Sequence, residues 1–518
     1  MNLKRSRPIL PGILFFLALV KAQDGLCEEP DYLALVRRCA DVLIEKGRDH
    51  YGPVQSPLFM CVIDVDTVMA QYDPPLLDGN IRTEGRLHRR NLGGADLWED
   101  QSLLRTLALL SKLTGDPKYS KAADEEIAYF FEHCRKPTTN LLTWGTHIFW
   151  DCFKDAPGGD QDGAGPHEIL IREPLWEAMD QVAPKRVRDQ IEGMWEWHVV
   201  DKKTGLHNRH DDRTKGCDFA FSGSELLYGF AFLQKKTADP VWIDRAHLIA
   251  NWHWESRNKE TNLASDSPGI QDRFDGSHCM TTVCGPHVSL LLRAFALTGD
   301  SFYHDVALGH LKAFDRYAWD EKAQSYWAML KLDGTPVPEE GGEVDTKKRR
   351  VEVYQDFMPT GHVDVWPTIM YSYEFPLIAA QSYAYAAELT DDPEMKTATR
   401  RWAGVIEKNL PPGTGRRWKI PLREALPKLD EVGGAYAEHY ARAIDFYLRA
   451  AKVLNEPRYV ELAKGIAKEA ILKLNDPASG LFMGHAAKRT YEATDGVGYL
   501  MYALLELKVY PQLVDPNF

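Results

Sequence analysis

Leu113-Thr-Gly-Asp-Pro-Lys-Tyr119 decides the fold, because the chain keeps coming back to it. The phrase returns as Leu297-Thr-Gly-Asp-Ser-Phe-Tyr303, Leu389-Thr-Asp-Asp-Pro-Glu-Met395 and Leu454-Asn-Glu-Pro-Arg-Tyr459. Looser copies stand at Thr237-Ala-Asp-Pro-Val-Trp242 and Val182-Ala-Pro-Lys-Arg-Val187. In most copies turn-forming residues end one amphipathic helix, an Asp caps the next and a Pro takes its first turn, so each copy is the tip of a helical hairpin.

The tips fall at 117, 184, 240, 301, 393 and 457, mostly ~60 residues apart, a spacing that signals a repeat architecture. Apolar periodicity on either side predicts helix pairs over 98–114 with 118–134, 168–181 with 185–199, 222–237 with 241–256, 280–297 with 302–317, 375–390 with 394–409 and 435–454 with 458–473. Two helices remain, 32–46 and 494–507, each apolar on one side. A linear array would present polar caps there, so these two pair with each other and close a ring. The expected fold is all-α, an (α/α)7 toroid over residues 23–518, with no composition shift to mark a second domain.

If the short tips share one end of the ring, the long connections 135–167, 200–221, 257–279, 318–374, 410–434 and 474–493 all emerge at the other end. Functional residues concentrate on such loops, because the helices beneath hold them rigidly. Residues 51–96 fit no hairpin and read as a long loop over the mouth of the ring.

Residues 1–22 have a basic start (Lys4, Arg5, Arg7), an apolar run from Ile9 to Val20 and a small-residue cleavage pattern, as a signal peptide does. No later stretch reaches the ~20 apolar residues a membrane helix needs. The expectation is an exported protein, periplasmic or secreted, free of the membrane once cleaved. A net charge of −13 argues against nucleic acid or anionic lipid as partner, since both require a basic face. It permits an anionic sugar where the site itself is locally positive. Eight cysteines without a C-x-x-C pair suit neither a disulfide scaffold nor a zinc ribbon; they read as buried apolar residues with a disulfide or two.

Chemistry gathers between Leu141 and Arg213, in Trp144-Gly-Thr-His147, Pro166-His-Glu168 and His207-Asn-Arg-His210. His147 lies in the first long loop, Glu168 at the expected start of the following helix and His210 in the next loop, so one end of adjacent hairpins carries all three. Two imidazoles and a carboxylate suit Mn, Fe, Zn, Ni or Co better than Ca, which takes mainly oxygen. His167 is a rival ligand. His485 follows a loop glycine at the same distance as His210 does, a warning that a loop histidine need not be a ligand.

The order His, Glu, adjacent Arg-His, with separations of 21 and 42 residues on the loops of a seven-hairpin ring, resembles the family 2 polysaccharide lyases. The resemblance implies a divalent metal at His147, Glu168 and His210, Mn first with Co or Ni as alternatives and Ca less favoured. It implies Arg209 as base and polygalacturonate or another acidic polysaccharide as substrate. β-Elimination of a 4-linked uronate removes the proton α to a carboxylate, a weak acid until the developing enolate charge is neutralised, and a cation with arginines around it supplies that field. Arginine as base is demanding, because its pKa lies above ~12; a nearby cation lowers it, and an alkaline optimum is expected.

Arg273, Trp144 and Tyr354 are the expected sugar contacts, Arg273 through a bidentate pair with a uronate carboxylate and the aromatics by stacking. Trp150, Trp319, Trp327, Trp366 and Tyr373 are further loop aromatics, and His278, His287, His362 and His439 are reserve histidines. A glycoside hydrolase would instead need two carboxylates across a cleft, drawn from Asp96, Glu374 and Glu438. A noncatalytic glycan-binding ring is the third reading.

Overall fold

The computed structural model describes residues 29–72, 91–271, 274–338, 359–367, 375–413 and 433–512. The repeated phrase marks a helix boundary at every copy. In chain order the ring helices are α1 (Tyr32–Lys46), α2 (Gln101–Thr114), α3 (Lys118–His133), α4 (Trp176–Val182), α5 (Pro184–His198), α6 (Ala220–Thr237) and α7 (Pro240–Glu255). They continue with α8 (Val288–Thr298), α9 (Ser301–Ala318), α10 (Pro376–Thr390), α11 (Pro393–Lys408), α12 (Ala437–Leu454), α13 (Arg458–Leu474) and α14 (Val497–Val509).

Four of the tips are built identically, and the repeated Thr is the reason. Thr114, Thr237, Thr298 and Thr390 each donate through Oγ1 to the carbonyl four residues back, at 2.7 Å every time. The same oxygen accepts the backbone N–H two residues on, at 3.2 Å. Between them one residue turns left-handed: Gly115, Ala238, Gly299 or Asp391. Asp239, Asp300 and Asp392 then cap the following helix by accepting from Val241, Phe302 and Glu394 N–H, each worth about 1 kcal/mol.

The even-numbered helices form the inner ring. α14 packs against both α12 and α2, α12 against α10, α10 against α8, α8 against α6 and α6 against α4. Gln101 of α2 completes the circle, accepting Leu175 N–H at 2.7 Å and reaching Met179 of α4. The odd-numbered helices lie outside, α1 on α14 and each of the others on its hairpin partner, giving seven hairpins among the described residues. Inner helices are covered all round, so α6 is buried continuously from Ala220 to Leu233; outer ones such as α11 bury one stripe, through Met395, Ala398, Trp402 and Ile406. The described residues from Tyr32 onward pack as one unit, and among the described residues no helix is long and apolar enough to cross a membrane.

One expected helix starts late, and another carries a π turn. The one expected at 168 begins at Trp176, because Glu168 and Ile169 are extended: their N–H groups donate to Trp144 and Arg209 carbonyls. The one expected at 280 does begin there, at Thr281 directly after a strand at His278–Met280, and runs into α8 through a π turn at Val283–His287 that holds Pro286, which has no N–H to continue an α ladder. The excursion at 51–96 is woven in where it is described. Its strand β1 (Val62–Asp64) pairs with Thr490–Glu492 and with β2 (Met69–Ala70), while β3 (Gly94–Ala95) pairs with β4 (Ile148–Asp151), itself paired with β5 (Ala156–Gly159). All seven cysteines in the described residues are free thiols, six of them buried, so no disulfide forms among them. The leader assigned to 1–22 lies outside the described residues.

Behind the loops runs a buried row of imidazoles: His207, His253, His287 and His310 meet edge to face with centroids 5.3, 5.3 and 5.4 Å apart. Burial holds all four below the ordinary imidazole value, His287 at about 4. The folded row is therefore neutral where the unfolded chain, titrating near ~6.5, takes up protons, so its stabilisation is complete above that pH and is lost as pH falls toward the folded values. The loss is expected to approach ~1.4 kcal/mol per pH unit for each ring. The urea midpoint should fall steeply between neutral and mildly acid pH, and less steeply in His253→Leu; a flat profile would contradict the neutral row.

Candidate metal centre

Three loop segments converge on Glu168. Its backbone bridges to His210 in antiparallel register, with Ile169 N–H on Arg209 O at 3.0 Å and Asp211 N–H on His167 O at 3.3 Å. Gly145 passes directly over it; with φ 120° and the site of a Cβ 2.7 Å from Glu168 Cβ, that position admits only glycine. The chain therefore brings 144–147 and 208–211 onto the two sides of one carboxylate.

Side chains complete the arrangement. Glu168 is fully buried, and its Oε1 lies 3.0 Å from His210 Nε2, 3.3 Å from His147 Nε2 and 3.3 Å from Arg209 Nε. Its Oε2 accepts Thr146 N–H at 2.7 Å and the Thr146 hydroxyl. Arg209 Nε donates to His210 Nε2 at 2.9 Å. One ligand atom from each of His147, Glu168 and His210 falls within 4.8 Å of the others, the one such group of three among the described residues. The two histidines keep partial exposure, at 26% and 19% of their side chains, so the centre opens outward from a buried base.

The electrostatics follow from this crowding. Burial alone would raise the Glu168 carboxyl, yet the charges of His147 and Arg209 and the bond from His210 hold it well below the usual carboxylate range. Burial and the Arg209 charge lower the His210 imidazole below its ordinary value, against the pull of Glu168, and so favour the neutral ring that can offer a lone pair. Two imidazole nitrogens and a carboxylate oxygen that face one another are a donor set for a cation of borderline softness.

Other expected site residues stand elsewhere. His167 is buried and turned inward, its Nδ1 2.8 Å from His198 Nε2 and its Nε2 3.0 Å from Gln190 Nε2, so it is no rival ligand. Trp144 is fully buried, packed against His167 and Trp176 with centroids 5.5 and 6.0 Å away, and offers no face to a sugar. It is a floor beneath the site. Arg273 and Tyr354 lie outside the described residues, as do Tyr373 and Glu374. Trp366, His287 and His439 are buried in the core, and His485 packs against Tyr436 at 4.9 Å. Asp96 is buried and accepts from Asn91, Gly145 and Trp98, while Glu438 is gripped by Arg172 and Arg442; both are committed to packing.

Two residues that sequence reasoning passed over touch the centre. Asp160 Oδ2 lies 2.6 Å from His147 Nδ1, and Thr146 holds the free oxygen of Glu168. Neither had a signal: Thr146 sits inside a motif read only for its histidine, and Gly158-Gly-Asp-Gln-Asp-Gly163 reads as a turn.

Fold and site together define a helical-hairpin toroid with a His-Glu-His centre and an adjoining arginine on its loop face. Residues 95–217, which hold all of that centre, match the family model described as periplasmic pectate lyase. The chain is 28% identical over 190 residues to the pectate disaccharide-lyase of Dickeya dadantii (strain 3937), across 32% of this chain and 35% of that protein, so the match spans about a third of the relative's length. Among solved structures, a family 76 glycoside hydrolase from a bovine Bacteroides thetaiotaomicron strain is 11% identical with a TM-score of 0.46, covering 93% of this chain and 78% of that one. The unsaturated glucuronyl hydrolase of Bacillus sp. GL1 is 13% identical with a TM-score of 0.43, covering 81% and 88%. The ring described above rests on this chain's own helix packing.

Proposed function

We propose that the protein is an exported, metal-dependent pectate lyase that cleaves 4-linked uronate bonds in polygalacturonate or its oligomers by β-elimination. The observation that carries this reading is the convergence of one ligand atom each from His147, Glu168 and His210 within 4.8 Å beside Arg209, in the segment that matches the pectate lyase family. His147, Glu168 and His210 would hold the ion, which the mixed nitrogen and oxygen set suits to Mn, with Co or Ni as alternatives and Ca less favoured. When bound, such a cation supplies positive charge to stabilise the uronate carboxylate as its α proton leaves.

This chain's own residues do the rest. Glu168, ionised and buried, holds the positive groups around it in one orientation. Arg209, with its side chain 18% exposed, adjoins the same point and, in the neutral guanidine form left once its own proton has passed to water, takes the proton α to the carboxylate. The electron pair forms the new C=C bond and expels the sugar oxygen at the β carbon, which water protonates. A locally cationic pocket also reconciles a chain of net charge −13 with a polyanionic substrate.

Chelation followed by add-back tests the reading. Polygalacturonate cleavage, followed by the ultraviolet absorbance of the unsaturated product, is expected to vanish in chelator and to return with Mn, Co or Ni more fully than with Ca. Saturated products would reassign the chain to hydrolysis. Turnover indifferent to chelation would remove the metal.

A further inference from the structure

We propose that Asp160 is a positioning residue for His147: its carboxylate keeps the proton on Nδ1 and the lone pair on Nε2, aimed at the point shared with Glu168 and His210. The inference deepens the metal-centre reading and rests on it.

The geometry is built from backbone outward. β4 and β5 pair antiparallel with Ile148 opposite Gly159, which sets His147 and Asp160 side by side just beyond the end of the hairpin. Asp160 N–H then donates to His147 O at 2.9 Å, while Asp160 Oδ2 accepts from His147 Nδ1 at 2.6 Å. The two residues are thus joined twice, once by main chain and once by side chain. Close approach of the strands is secured by glycine: a Cβ on Gly159 or Gly165 would stand 2.5 or 2.2 Å from the His147 carbonyl oxygen.

Chemistry gives the contact its meaning. A neutral imidazole carries one N–H, and a carboxylate at Nδ1 places it there, which leaves Nε2 as a donor of electrons. Nε2 is the nitrogen that faces Glu168 Oε1, at 3.3 Å. The same device repeats on Glu168, where Thr146 engages Oε2 through N–H and hydroxyl and leaves Oε1 for the centre. Neighbouring residues 146 and 147 are therefore the hinge of the support: one holds the carboxylate and the other is held by Asp160. The Asp160 side chain is 60% exposed, so it adds little to folding, and its effect should appear in metal affinity.

The test is Co(II) and Mn(II) binding to the purified full-length chain by calorimetry, with the visible spectrum of the Co(II) form as a second readout, for wild type, Asp160→Ala, Asp160→Asn and His147→Ala. Asp160→Ala is expected to bind roughly 10-fold more weakly or worse, the range for losing a carboxylate behind a ligating histidine, with Asp160→Asn between it and wild type. The metal-free melting temperature should be unchanged and the increment on adding metal reduced. Binding by Asp160→Ala within about two-fold of wild type, below the effect such partners have, or a melting temperature lowered equally with and without metal, would overturn the assignment. Failure of the underlying reading looks different: wild type and His147→Ala would then bind alike or not at all.

Discussion

Arg209→Ala is expected to retain its fold and its metal and to lose polygalacturonate cleavage, with kcat down roughly 10²–10⁴-fold, the usual worth of a general base. The backbone at 209 is secured independently of the side chain, by Arg209 N–H on Cys217 O at 2.9 Å and Ile169 N–H on Arg209 O at 3.0 Å. The guanidinium lies over the Phe219 ring, 5.6 Å from its centroid, and bonds to His210 and Glu168. Removing it deletes one cation beside the ligands and so should not weaken metal binding. Arg209→Lys keeps charge without the planar fork and should recover little of the rate. A rate for Arg209→Ala within about ten-fold of wild type, short of what a base contributes, would take Arg209 out of proton transfer. A variant that had lost its metal would recast it as a structural part of the centre.

Arg172→Ala is expected to cost about 3–5 kcal/mol of stability, because it strands buried carboxylates. Arg172 is fully buried, four residues beyond Glu168, and reaches Glu99 Oε2 at 2.8 Å, Glu438 Oε2 at 2.7 Å and Thr494 O at 3.0 Å. One guanidinium therefore ties the extended segment that carries Glu168 to the residues before α2, to α12 and to the approach to α14. Despite burial, which would raise it, the Glu438 carboxyl is held at about 2 by Arg172 and Arg442. Urea denaturation would measure the loss. Arg172→Met combined with Glu99→Gln should recover part of it, since Glu99 then carries no stranded charge and Glu438 keeps Arg442 as its partner. A single mutant as stable as wild type would show that the clasp does not hold the segment.

The ring was legible because its determinants are local. Asp300 caps the same helix whose start its sequence marks, and Thr114, Thr237, Thr298 and Thr390 make the same two bonds within a few residues of themselves. The late start of α4 was not legible, because partners distant in sequence produce it: Trp144 and Arg209 carbonyls draw Glu168 and Ile169 into extended form. Trp144 and His147 belong to one quoted motif, yet the first is fully buried and the second partly exposed. No periodicity governs a loop, so nothing in the motif distinguishes them.

By itself, then, the chain's order of residues determined the number of hairpins, the closing of its first helix on its last, and which residue types stand near one another at the loop end. Caps, turns and apolar spacing act over three or four residues and are written in the residues that perform them. Only tertiary structure decided that His147, Glu168 and His210 face a common point, that His167 and Trp144 turn away from it, and that Asp160 stands behind His147. Loop side chains take their direction from strand pairing and buried partners contributed by other parts of the ring, and those contacts exist only once the ring has closed.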